Sequence, residues 1–184
     1  MQEVTINKQA QLSEHLTSSS VAALGNSSEL DCTRLSPHFT LGEMCKTSAK
    51  TADKNIPSHV HIENLRRLCG WLEMLRSEWN KRYGEGDEPI VINSGYRSAA
   101  VNKAVGGVKG SNHLTGCAVD IRVAGMEQLV RYATILLDIS DESQEDFDEL
   151  LLERSPRGGY WLHFAVRPPS QENRRKVSLI QSLR

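Results

Sequence analysis

Three residues stand out by type and order: His113, Asp120 and His163. Imidazole nitrogens and carboxylate oxygens are ordinary protein ligands of zinc. Two histidines with one aspartate make a three-ligand set that leaves a fourth position for water. The local sequence indicates how they are aimed. His113 sits in a loop, Gly116 permits a tight turn after it, and Asp120 points from the strand that follows. His163 belongs to a separate strand, Tyr160-Trp-Leu-His-Phe164, that could lie alongside. Ala118, two residues before Asp120, shares its face and leaves room for a metal. Such a trio also occurs as unrelated surface or core side chains, so the elements around it decide the reading.

The clearest element opens at Pro57-Ser58. Ile62, Leu65, Leu68, Leu72, Leu75 and Trp79 recur at three- and four-residue intervals and predict an amphipathic helix with a buried, structural stripe. Ser58 is its N-cap, and Gly84 to Gly86 end it. Pro89 to Asn93 reads as a short strand. Ser98 to Val105 reads as a short helix stopped by Gly106 and Gly107. Gly116 to Val123 is a second strand, with Ala118, Asp120 and Arg122 alternating against Val119, Ile121 and Val123. Met126 to Leu137 is an amphipathic helix. Leu150–Arg154 and Tyr160–Arg167 flank Ser-Pro-Arg-Gly-Gly and predict a hairpin. Helices interleaved with hairpin-like strands indicate an α+β domain. The domain is expected over residues 37–168, after a polar N-terminal arm (1–36) and before a polar C-terminal tail (169–184) ending in a short helix.

Composition excludes several classes. A chain of 184 residues is about one domain. Its net charge of −1 argues against a partner bound by phosphate neutralisation, so no nucleic acid is expected. With 39% hydrophobic and 24% charged residues it is a folded chain rather than a disordered one. No apolar run is long enough for a membrane span, and nothing points beyond a monomer. Cys32, Cys45, Cys69 and Cys117 have no Cys-x-x-Cys spacing and are expected as free thiols. The N-terminus lacks the basic start and apolar core of a signal peptide, so the expected compartment is the cytoplasm. His15, His38, His59 and His61 lack ligand-like context and are expected at the surface or in caps.

The stretch SGYRSAAVNKAVGGVKGSNHLTGCAVDI, followed further on by WLHF, resembles the zinc D-alanyl-D-alanine carboxypeptidase family. That family includes VanY-type carboxypeptidases, VanX-type dipeptidases and several phage endolysins. The resemblance runs from about Phe39 to Val166, and its short single-domain branch is the most similar. It implies the hedgehog/DD-peptidase type of α+β fold, a small antiparallel sheet flanked by helices. It implies a zinc peptidase acting on peptidoglycan peptide, with His113, Asp120 and His163 as ligands. The site of action would be the cell wall, reached by lysis or after loss of a leader.

The same resemblance places Arg97 at the substrate, holding a carboxylate or offsetting a developing oxyanion, and gives Ser111 a share in binding it. A planar guanidinium suits both tasks. Many relatives carry an acid three residues before the last histidine, where this chain has Tyr160. The substitute base is Glu153: if the hairpin pairs it with Trp161, its side chain faces the same way as His163. A structural ion pair is the alternative role for Glu153. For the whole chain, the alternative is a zinc-containing module that binds without catalysis.

Overall fold

The computed structural model describes residues 27–181. Most of the expected N-terminal arm, with His15, lies outside the described residues. Ser27–Cys32 form the short helix α1. Leu41–Cys45 form α2, whose N-cap Thr40 and Glu43 make a reciprocal capping box. The long helix α3 covers His59–Arg82 and is capped by Ser58, whose hydroxyl accepts from the backbone N–H of His61. The predicted stripe is buried: Ile62, Leu65, Leu68, Leu72, Leu75 and Trp79 all face the core.

The remaining elements are strand β1 (Ile92–Ser94), helix α4 (Ala99–Ala104), strand β2 (Ala118–Arg122), helix α5 (Met126–Ser143), and strands β3 (Glu149–Arg154), β4 (Tyr160–Ala165) and β5 (Lys176–Gln181). Helix α5 runs a turn and a half past its predicted end, because Ile139 and Ser140 are also buried. The strands form one sheet in the order β1-β2-β4-β3-β5. Four of them pair antiparallel, as expected. β5 pairs parallel with β3, so the sheet is mixed and not purely antiparallel. β5 also replaces the short helix expected in the tail. Its alternation is faint because Val177 and Leu179 remain exposed at the sheet edge.

Strand parity divides the sheet into two faces. Val119, Ile121, Leu150, Leu162 and Phe164 are buried toward the helices. There Trp71 of α3 meets Phe164 and Phe147, with ring centroids 5.4 and 6.5 Å away. The opposite face carries Asp120, His163, Trp161, Glu149, Leu151 and Glu153. All four cysteines are unpaired, and three are buried. Among the described residues no helix is long and apolar enough to cross a membrane.

Candidate metal centre

His113 lies on a 3-10 turn, Asn112–Thr115, that connects α4 to β2. Ser111 caps it, its hydroxyl accepting from His113 N–H at 3.4 Å. Gly116 closes the turn at φ 71°, the left-handed region. A Cβ there would stand 2.6 Å from the carbonyl oxygen of His61, so only glycine lets the turn pack on α3. The ring of His113 is buried, and its Nδ1 lies 2.6 Å from the carbonyl oxygen of Gly95. A carbonyl can only accept, so the proton sits on Nδ1 and Nε2 keeps its lone pair.

The β2–β4 register sets Asp120 directly opposite His163. Oδ1 of Asp120 is 3.3 Å from Nε2 of His113 and 3.0 Å from Nδ1 of His163. The three ligand atoms lie within 4.8 Å of one another. This arrangement fits a metal ion. The lone pair of His113 Nε2 faces an anionic oxygen, which is unfavourable until a cation stands between them. Burial lowers the pKa of His113, against the attraction of Asp120, which keeps the ring neutral as a ligand must be. Burial also opposes charge on Asp120 and His163. Contacts with His113 first and then His163 win at Asp120, holding its carboxyl far below the usual range, and contacts with Asp120 and Glu149 push the His163 imidazole up to about 9. Both shifts register a site built to hold positive charge beside Asp120.

All the residues singled out from the sequence line one cleft of about 960 Å³: Arg97, Ser111, His113, Asp120, Glu153 and His163. Arg97 donates from Nη2 to Oδ2 of Asp120 and from Nε to the Ser94 hydroxyl at 2.8 Å. It therefore braces the oxygen of Asp120 that does not face the histidines. Glu153 pairs with Trp161, the register that the hairpin argument requires, and stands on the same sheet face as His163. Burial raises its pKa above the ordinary carboxylate value, partly offset by the charge of His163. Tyr160 lies opposite Arg154 and packs on the core from the helix side of the sheet. A side chain three residues before His163 has odd parity, so an acid at 160 would not face the cleft in this register.

The sequence reading missed Glu149. It starts β3, shares the face of Leu151 and Glu153, and brings Oε2 to 3.6 Å from Nε2 of His163. Contact with His163 and with Lys176 overcomes burial and lowers its pKa to about 2. The adjacent Asp148 is fully buried and accepts from Arg174 and Asn112. The signal for Glu149 was available: period-two alternation through Glu149, Leu151 and Glu153. Among the described residues, His38, His59 and His61 stand at the surface or in a cap, as expected. His38 pairs with Glu73 at 2.7 Å, His61 caps α3, and His59, half-buried, lies 3.9 Å from Glu63 in the first turn of α3. A second cleft, between Leu30 and Ile56, has no histidine on its walls.

Fold and site together define a class: an α+β domain whose open sheet face carries a His–Asp–His donor set with both histidines buried and the aspartate half-buried. The model of the peptidase M15 family matches residues 37–138, more than half of the chain. The chain belongs to the peptidase M15 family. It is also 45% identical over 91 residues to a zinc D-Ala-D-Ala carboxypeptidase of Streptomyces albus G. That match covers 50% of this chain and 32% of the relative, so the chain spans about a third of the relative's length.

Proposed function

We propose that the chain is a zinc metallopeptidase that hydrolyses a peptide bond in bacterial cell-wall peptide, of D,D-carboxypeptidase or endopeptidase type. Family membership and the zinc carboxypeptidase relative support this reading. The observation that carries it is the convergence of His113, Asp120 and His163 in a cleft whose wall also holds Glu153. When bound there, zinc supplies Lewis acidity that polarises a carbonyl and acidifies a water.

The protein groups divide the remaining work. Glu153 takes a proton from the attacking water and returns it to the leaving amine, a task suited to a carboxyl whose pKa burial has raised. Arg97 offsets the negative charge that builds on the carbonyl oxygen as it becomes tetrahedral. Its bonds to Ser94 and Asp120 occupy Nε and Nη2, and a guanidinium has further N–H donors for a substrate oxygen. Ser111, on the cleft wall two residues before His113, contributes to substrate binding. The action is expected at the cell wall.

A zinc-containing module that only binds is the alternative, and Tyr160 in place of an acid is what favours it. The parity of β4 weakens that argument, since position 160 faces the helices while Glu153 supplies a carboxylate on the cleft side. Mass spectrometry of fragments released from defined muropeptides tests the proposal. The wild type should release a fragment that names the bond, and His113→Ala should release none. No cleavage by a zinc-loaded wild type, or equal cleavage by the variant, would overturn it.

A further inference from the structure

Glu149 stands where the sheet, the 3-10 turn and the C-terminal strand meet. Its two oxygens have different surroundings. Oε1 receives Lys176 at 3.2 Å and Arg174 at 3.0 Å, both brought by the segment that leads into and begins β5. Oε2 receives the side-chain N–H of Asn112 at 3.2 Å and faces Nε2 of His163 at 3.6 Å. Asn112 also donates to Asp148 at 2.8 Å and immediately precedes His113. A chain of contacts therefore runs from β5 through Glu149 to His163, and through Asn112 to the turn that carries His113.

The two nitrogens of His163 have separate tasks in this geometry. Nδ1 faces Asp120 and the convergence point, and Nε2 faces Glu149. A carboxylate 3.6 Å from Nε2 favours the tautomer with the proton on that nitrogen and the lone pair on Nδ1. We propose that Glu149 is a positioning residue for the metal centre: it fixes the ring and tautomer of His163, and β5 with Asn112 fixes Glu149 in turn. It touches no reacting atom and is not a catalytic residue. β5 thus has a function that its exposed side chains do not advertise, as the backing of a ligand that lies two strands away in the sheet.

This inference rests on the metallopeptidase reading only for the identity of the ion, and its test reads affinity rather than turnover. Zinc dissociation constants are measured by chelator competition for the wild type, Glu149→Ala, Glu149→Gln and Lys176→Met. Histidine ring ¹⁵N spectra of the zinc-loaded proteins are recorded in parallel. Loss of an outer-shell partner typically weakens metal binding about 10- to 100-fold. Glu149→Ala should show that loss. Glu149→Gln, which keeps an acceptor oxygen without the charge, should lose less and should shift the His163 ring nitrogens. Lys176→Met, which removes the β5 side-chain contact to Glu149 but keeps its carboxylate, should weaken zinc binding by less than Glu149→Ala. If Glu149→Ala does not fold, the Gln variant carries the test. Unchanged affinity and ring shifts in Glu149→Gln overturn the proposal, and wild-type affinity in Lys176→Met overturns the part given to β5. A wild type that binds no zinc defeats the metal-centre reading itself, a separate outcome.

Discussion

The same strands of this sheet present two faces under opposite physical rules. Toward the helices, Val119, Ile121, Leu162 and Phe164 exclude water and contribute by area and close packing. Toward the cleft, Asp120, His163, Glu149 and Glu153 are charged or chargeable groups held within reach of one another. One-residue steps along β2 and β4 separate the two, so a register slip would destroy both at once. The difference teaches that the helix face holds the register, and the register sets Asp120 opposite His163. Stability and chemistry should therefore be separable by mutation, each face failing in its own way.

The largest separation is expected on the cleft side. Glu153→Gln should lower kcat by about 10²- to 10⁴-fold, the usual worth of a general base, while zinc content and Tm stay at wild-type values. Loss of zinc in that variant would show that Glu153 serves the metal rather than the proton. On the helix side, Phe164→Ala should destabilise by about 3–5 kcal/mol in chemical denaturation. The protein that remains folded should still bind zinc, and a selective loss of zinc with unchanged stability would break the comparison.

A smaller effect joins the two faces at their end. Burial would raise the pKa of Asp148, but the bonds from Arg174 and Asn112 and the nearby Arg167 hold it below the usual range. A depressed native value stabilises the fold above the ordinary carboxylate pKa, and that contribution is lost as pH falls through the native value. Asp148→Asn should therefore cost about 1–3 kcal/mol at neutral pH, and thermal melts should show the gap to wild type closing in acid. A gap that widens in acid would reverse the sign. Smallest is Ser58→Ala, which should cost about 1 kcal/mol by removing the cap of α3 without touching zinc affinity.

What could be read from the sequence followed from local signals. The spacing from Ile62 to Trp79 and the Ser58 cap marked α3, because an amphipathic helix writes its own period. The short Ser-Pro-Arg-Gly-Gly turn set the hairpin, and its register brought Glu153 opposite Trp161. β5 was not legible. Its partner β3 lies far back in the chain, parallel pairing leaves no turn signature, and Leu179 is largely exposed. Glu149 was missed with it, since the predicted strand began one residue later and the groups that hold it come from the tail. Position 160 lies off the cleft because three residues is an odd step along β4.

The central claim is that His113, Asp120 and His163 share one metal ion. Zinc quantified per chain after exhaustive dialysis, for wild type and Asp120→Ala, tests it most directly. The account predicts one zinc per wild-type chain and little or none in the variant, with far-UV circular dichroism unchanged. Metal-free wild-type protein that zinc cannot reload, or a variant that keeps its full complement, would contradict it.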